Sequence, residues 1–303
     1  MDTNKIDCPP RPKPLIAAHV VLHGFSQIYC QRSVFTGATL LTLMYAAAPQ
    51  MAFAACLALG TATLCALALR APRTDIANGI YGYNAALSGA GLAAGFQPGL
   101  ALLLWIGVAG VFCAVATRVL RQKGGLPVLT SPFIAVMLLA NWLGPLAGLQ
   151  MVEAGGNEGN HHTLPAFVLH AFAQASFLDS PVAGLLVLAA VTRRHRQAAV
   201  WAVAAGLSVW CASTPGTGLD AYLTGITLNC MLSAICLTEN RRGLNGRIGG
   251  IAATAGIGLL CASLELRVFT LPFVAACWVV LRSTREERAF AALPEQPHAA
   301  QLR

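Results

Sequence analysis

The chain has 303 residues, of which 56% are hydrophobic and only 11% are charged. Soluble domains carry about one quarter charged residues, so this composition excludes an ordinary soluble domain and predicts a protein embedded in a lipid bilayer. The formal net charge of +8 does not indicate a nucleic-acid partner, because the basic residues stand in short clusters between apolar spans.

The first half of the chain contains one short apolar segment and five longer ones. Residues 1–14 are polar and proline-rich, which predicts a cytoplasmic tail. The short segment, 15–27, cannot cross a bilayer, since a crossing helix needs about 20 residues. The predicted crossings that follow are 34–47, 52–70, 79–95, 99–118 and 126–148.

The second half follows the same scheme. A link at 150–163, predicted to be extracellular or periplasmic, precedes a second short apolar segment at 164–175. The next crossings are predicted at 181–193, 198–213, 221–238, 248–264 and 268–282. The remaining tail, 283–303, carries mixed charges and is predicted to be disordered and cytoplasmic.

Three stretches of the first half return in the same order in the second. Residues 21–27 (VLHGFSQ) return as 168–174 (VLHAFAQ), with five identities. Residues 128–135 match 268–275 at five positions, and residues 84–88 match 229–233 more weakly. Repeats of this size in so apolar a chain predict two related halves, a first repeat at 15–149 and a second at 164–282.

The basic residues fix the orientation of these halves. With the N-terminus inside and five crossings in each half, nearly all basic clusters fall on the cytoplasmic side, as membrane proteins prefer. Because each half has an odd number of crossings, the second half is inserted in the membrane with the opposite orientation to the first. The predicted fold is therefore an all-α integral membrane protein of two inverted repeats, each with five transmembrane helices and one re-entrant pore helix formed by the short segment.

Cysteine, although frequent, does not predict a metal centre or a disulfide framework. The ten cysteines are scattered, mostly through apolar segments, with no Cys-x-x-Cys pair and no cysteine–histidine cluster. Such cysteines are small packing residues. No cofactor and no metal are predicted.

Several of these stretches resemble the urea transporters, specifically the bacterial type. They are residues 24–30 (GFSQIYC), 79–87 (GIYGYNAAL), 126–133 (LPVLTSPF), 174–184 and 269–273 (FTLPF). The resemblance implies a homotrimer. The predicted location is a cell membrane crossed several times, of the bacterial inner-membrane type, and the basic clusters place both termini in the cytoplasm. Its partners would be urea and membrane lipid.

The resemblance also implies a narrow slot at the interface of the two repeats, through which urea passes passively. Gln27 and Gln174 would end the two re-entrant helices, and Thr130 and Thr270 would lie near the central constriction. The full set of implied pore residues is Gln27, Ile28, Tyr29, Cys30, Tyr83, Leu87, Thr130, Gln174, Ala175, Phe177, Leu228, Leu232 and Thr270. No residue is assigned a catalytic role.

The chain departs from the family pattern at a few of these positions. Cys30 stands where an aromatic wall residue is expected, whereas the second half keeps Phe177. Leu228 replaces the tyrosine of the Gly-Tyr-Asn element, and Gln174 stands where an acidic residue is also common. Arg32 and Asp179 occupy equivalent places, which suggests an ion pair across the two halves.

Two alternatives remain open at this point. One is a channel for another small neutral solute, such as a short amide or ammonia. The other is a membrane-embedded enzyme, which is disfavoured because the spans lack clustered Asp, Glu, His or Lys at nucleophile or metal spacings. The same lack of a proton relay within the spans favours a passive channel over a pump.

Overall fold

Thirteen α-helices account for most of the described chain, and their order follows the predicted segments. The computed structural model describes residues 13–124, 126–152, 163–213, 220–266 and 268–291. Residues 1–12 and 292–303, which belong to the predicted tails, and residues 153–162 of the predicted link lie outside these ranges. The helices are α1 (Lys13–Gln27), α2 (Val34–Ala47), α3 (Pro49–Ala68), α4 (Arg73–Ala77), α5 (Tyr83–Gly95), α6 (Leu100–Lys123), α7 (Ser131–Leu143), α8 (Leu164–Gln174), α9 (Pro181–Arg194), α10 (Arg196–Ala212), α11 (Asp220–Glu239), α12 (Leu244–Ser263) and α13 (Leu271–Ala291).

The surface of this helical protein is suited to lipid. Helices α3, α6 and α12 are long and apolar enough to cross a membrane, and α2, α7 and α8 are shorter apolar helices. Large apolar side chains face outward, among them Phe53 (65% exposed), Leu64 (69%) and Trp142 (77%), whereas many alanines lie in the core. Small residues between helices with large apolar residues outside are typical of membrane helices, because lipid is as apolar as leucine. The fold is that of an all-α membrane protein.

The two short apolar segments form the helices α1 and α8, and each of these helices crosses the next one at a glycine. A Cβ atom on Gly37 of α2 would lie 1.9 Å from the backbone oxygen of Leu22 in α1. A Cβ on Gly184 of α9 would lie equally close, 1.9 Å, to the backbone oxygen of Leu169 in α8. Only glycine permits backbones to approach this closely. The two helix pairs α1/α2 and α8/α9 therefore pack in matching ways.

The turns that join these helix pairs also match. Cys30 (φ 56°) and Phe177 (φ 59°) both adopt the left-handed conformation, three residues after the end of their helix. The next helix then begins behind a serine whose hydroxyl accepts a hydrogen bond from a first-turn N–H group, Ser33 for α2 and Ser180 for α9. Serine is a favoured N-cap, so the local sequence sets both helix starts.

Helices α7 and α13 begin inside the protein, where their first N–H groups need acceptors. The side-chain oxygen of Asn84 accepts from the backbone N–H of Phe133 (3.3 Å), and that of Asn229 accepts from Phe273 (3.1 Å). The same two asparagines donate to the backbone oxygens of Leu129 (2.9 Å) and Phe269 (3.1 Å), respectively. Phe133 and Phe273 each follow a proline, Pro132 or Pro272. Because proline has no backbone N–H group, it needs no acceptor at this position.

Replacing Asn84 by alanine is expected to destabilise the protein by about 1–3 kcal/mol, because the N–H group of Phe133 would be buried without an acceptor. The measurement is thermal unfolding of the detergent-solubilised protein. Asn141→Ala is the matched control, since Asn141 is exposed on α7. Equal unfolding temperatures for the two variants would contradict a capping role for Asn84.

Several predicted boundaries differ from the structure, including the end of α6 at Lys123 and the start of α12 at Leu244. The predicted crossing at 79–95 becomes a helix only at Tyr83, because Gly79 (φ 74°) forms a turn against α1, where a Cβ would lie 2.3 Å from the backbone nitrogen of Gly24. The predicted crossing at 126–148 is helical only as α7, since the preceding apolar segment is a buried turn. The tail predicted to be disordered from 283 onward instead continues α13 to Ala291.

Candidate functional site

The apolar members of the predicted pore lie in a single buried cluster. Ile28, Tyr29, Tyr83, Leu87, Ala175 and Leu232 belong to it, and Cys30, Phe177 and Leu228 pack against it. Helices of both halves contribute to this cluster, so the structure brings together residues that are about 150 positions apart in the sequence.

Thr130 and Thr270 meet directly. Their hydroxyl oxygens are 2.7 Å apart, and the two residues are only 4% and 8% exposed. Each stands just before the helix that its own half contributes, α7 or α13. One hydroxyl donates to the other, which leaves a second proton and the remaining lone pairs available to a partner. The family resemblance implied that both hydroxyls lie near a central constriction; the structure shows that they contact each other.

Gln27 and Gln174 lie at the last positions of α1 and α8, as predicted. The amide nitrogen of Gln27 donates to the backbone oxygen of Asn78 at 3.2 Å. The amide nitrogen of Gln174 is 2.9 Å from Nε2 of His170. These contacts orient both side-chain amides. The side-chain carbonyl oxygen of each glutamine remains able to accept hydrogen bonds at the end of α1 or α8.

The two tyrosines of the predicted pore have different surroundings. Tyr29 is fully buried, and its hydroxyl donates to the backbone oxygen of Phe172 and lies 2.8 Å from the hydroxyl of Ser176. It therefore ties the end of α1 to α8. The hydroxyl of Tyr83 donates to the backbone oxygen of Leu129, which places the Tyr83 ring beside the turn that precedes Thr130.

Cys30 and Phe177 hold equivalent positions but have chemically different neighbours. A Cβ on Gly91 of α5 would lie 2.8 Å from the Phe177 ring and 3.0 Å from the sulfur of Met137. The ring thus fills space that a glycine leaves open. Cys30, in the first half, has thiol neighbours instead. Its thiol contacts that of Cys236, which in turn contacts Cys277, and both of these residues belong to the second half.

Two groups at this site were missed by the sequence-based prediction. The ring of Phe133 lies between those of Phe177 (6.0 Å between centroids) and Phe269 (5.7 Å) and forms an aromatic row with them. Phe133 is part of the doubled Thr-x-Pro-Phe pattern, so a signal for it existed. Gln31 is 1% exposed, and its side-chain oxygen has no hydrogen-bond partner among the described residues; as a single glutamine after Cys30 it gave no signal.

The suggested ion pair between Arg32 and Asp179 is wrong. Asp179 lies against His170 instead, with 3.1 Å between the carboxylate oxygen and Nδ1, and Arg32 is exposed. None of the ion pairs within the described ranges joins Arg32 to Asp179. His170 is within reach of both Gln174 and Asp179 because it lies one turn before the end of α8.

The site offers hydrogen-bond acceptors and hydroxyls between apolar walls. Dehydrating a polar solute without replacing its hydrogen bonds costs several kcal/mol, and the buried threonine hydroxyls and the half-buried glutamine amide oxygens can replace them. Within the described ranges, no group of three or more His, Cys, Asp or Glu is arranged to hold a metal ion. The arrangement is suited to binding a small polar molecule.

The fold and the site together define an α-helical membrane protein with polar groups buried between its helices. A model of the urea transporter family matches residues 18–285. Because the match covers most of the chain, the protein belongs to the urea transporter family. This is a family of membrane-embedded transporters rather than of enzymes, and membership indicates urea transport across a membrane.

Proposed function

We propose that the protein is a passive, channel-like urea transporter whose slot runs between two inverted repeats. The observation that carries this proposal is the contact between the Thr130 and Thr270 hydroxyls, 2.7 Å apart within the apolar cluster. Equivalent residues of two halves can meet directly only close to the axis that relates the halves. A pore at that axis has one wall from each repeat.

Paired contacts support the inverted repeats, at 15–149 and 164–282. Gly37 and Gly184 serve the same helix crossing, and Asn84 and Asn229 bind the same turn and helix start. These pairs have sequence offsets of 147 and 145, which agree with the offsets of the repeated sequence stretches. Five of the longer helices in each half, with α1 and α8 as the re-entrant pair, give the proposed topology.

In the proposed slot, urea loses water and gains hydrogen bonds in turn. Urea is flat and neutral, with four N–H donors and one carbonyl acceptor. Gln27 and Gln174 would accept N–H bonds at the two ends, and the threonine hydroxyls would do so at the centre. The walls would be formed by Ile28, Tyr29, Cys30, Tyr83, Leu87, Ala175, Phe177, Leu228 and Leu232. An ion has no equivalent compensation, because burying an unpaired charge costs far more than burying a neutral group.

Family membership and the charge distribution support a proposal for the assembly and the location. We propose a homotrimer in a bacterial inner membrane, with each subunit carrying its own pore and with lipid around it. The tails, 1–14 and 283–303, would be cytoplasmic and the link at 150–163 would be outside. An ion pair between Arg121 and Asp75 (2.8 Å) joins α6 to α4 on the proposed cytoplasmic side, among the basic residues.

The proposal is tested by stopped-flow light scattering of proteoliposomes under an inward urea gradient, with glycerol and formamide as comparison solutes. Urea is expected to enter much faster than glycerol. A Gln27→Ala/Gln174→Ala double variant is expected to lose about tenfold or more of the urea rate, because both end acceptors are removed.

Three results would contradict the proposal. Urea entry no faster than in protein-free liposomes, with the protein folded and inserted, would mean that the slot does not conduct urea. Protein-dependent entry of formamide that is faster than that of urea would assign the slot to another small neutral solute. A conversion of labelled urea by the purified protein would instead indicate an enzyme.

A further inference from the structure

A polar pocket opens where two helix turns of the second half meet. One turn joins α9 to α10 and the other joins α11 to α12. The pocket has a volume of about 470 Å³ and is lined by Arg194, His195, Gln197, Thr238, Glu239, Arg241 and Arg247. That is the volume of about fifteen waters, enough for a small hydrated ion.

The lining is predominantly basic. Arg194, Arg241 and Arg247 contribute three positive charges against the single carboxylate of Glu239. One oxygen of that carboxylate is already engaged, since it lies 2.9 Å from Nδ1 of His195 and accepts from the amide of Gln31 at 3.3 Å. A net positive charge therefore remains for a ligand.

The position of Arg247 is fixed by its surroundings. Its Nε donates to the backbone oxygen of Arg242 at 2.7 Å, and its guanidinium group lies over the Trp201 ring, 5.1 Å from the centroid. A guanidinium that is held in place loses little freedom when it binds an anion, and its planar donors match phosphate oxygens. The start of α10 lines the same pocket, and its N-cap, His195, makes no side-chain capping bond, so first-turn N–H groups add positive potential there.

We propose that this pocket binds a phosphate-type anion, either a free phosphate group or the phosphate of an anionic lipid headgroup. The proposal does not depend on urea conduction. Three arginines around one cavity provide the charge and the donor geometry for a tetrahedral oxyanion. The pocket adjoins the proposed slot at one point, because Gln31, which binds Glu239, follows Cys30 in the sequence.

The test compares two double variants of the full chain in detergent. Arg194→Gln/Arg241→Gln removes two exposed charges from the pocket, and Arg70→Gln/Arg73→Gln removes two exposed charges from the first half. The control pair is matched in backbone as well, since Arg70 (φ 51°) and Arg241 (φ 54°) both adopt the left-handed conformation.

Inorganic phosphate at about ten times its dissociation constant is expected to raise the unfolding temperature of the wild type and of the Arg70/Arg73 variant by about 3 °C, relative to chloride at equal ionic strength. The Arg194/Arg241 variant should show no such shift. The same shift in both variants would overturn the proposal, since it would reflect general screening.

A second arm distinguishes the two sources of the anion. The proteins are reconstituted in phosphatidylcholine nanodiscs with and without phosphatidylglycerol. Stabilisation by phosphatidylglycerol that is lost only in the Arg194/Arg241 variant would support the site and assign it to a lipid headgroup. Stabilisation by free phosphate alone would support a soluble anion. No stabilisation by either would overturn the proposal.

Discussion

Removing both central hydroxyls is expected to slow urea entry by about tenfold or more. In a Thr130→Val/Thr270→Val variant the side-chain shape is kept, but the hydroxyl pair disappears from a buried position. Urea at that point would leave N–H groups without acceptors, and each unsatisfied group costs about 1–3 kcal/mol. Since about 1.4 kcal/mol corresponds to a factor of ten in rate, the loss of one hydrogen bond suffices. The measurement is stopped-flow urea entry into proteoliposomes.

Thr254→Val provides a matched control for this variant. The Thr254 hydroxyl is fully buried and lies 2.7 Å from the hydroxyl of Ser233, so the change removes an equally close pair. That pair lies between α11 and α12, away from the threonines that begin α7 and α13. Its loss should leave urea entry near the wild-type rate. Wild-type urea entry in the Thr130/Thr270 variant would show that the central hydroxyls do not contact the solute.

Alanine at Gly37 or Gly184 is expected to destabilise the protein by about 3 kcal/mol or more, at the upper end of overpacking effects. The new Cβ would lie 1.9 Å from a backbone oxygen of the short helix. Backbone cannot move aside as a flexible side chain can, so α1 or α8 would have to shift as a whole. Thermal unfolding and the fraction of protein that elutes as a single species from gel filtration measure the effect.

Gly60→Ala is the corresponding control, because a Cβ at Gly60 in α3 would have no neighbour within 4 Å. Alanine favours helix over glycine by up to about 1 kcal/mol, so this variant should unfold at the wild-type temperature or above it. If Gly37→Ala and Gly184→Ala were as stable as Gly60→Ala, the close helix crossing would not exist in the folded protein.

The sequence predicted the two short helices, α1 and α8, well and the starts of several longer helices poorly. The segments 15–27 and 164–175 correspond to α1 and α8 almost residue for residue, since a polar glutamine ends each apolar run. The start of α7 was placed too early because residues 126–130 are apolar. The hydropathy of a segment predicts whether it is buried, but it does not predict whether its backbone is helical.

The candidate site was predictable in its members but not in its contacts. The repeated Thr-x-Pro-Phe pattern identified Thr130 and Thr270, yet their direct contact depends on how the two halves pack. The same limit explains the Arg32–Asp179 error. Equivalent positions in two repeats need not touch, and Asp179 has a nearer partner in His170 of its own half. The spacing of residues along the sequence does not give the distance in space between a residue of one half and a residue of the other.

The thiols around Cys30 limit which side chains position 30 can accept. Phe177 has room for its ring because position 91 is glycine, whereas the corresponding space beside Cys30 is occupied by the Cys236 side chain. An aromatic ring at position 30 alone would collide with that side chain. A change at both positions avoids this clash, whereas either change alone is expected to destabilise the protein through a clash or a cavity. Positions 30 and 236 are therefore expected to change together, as a linked pair.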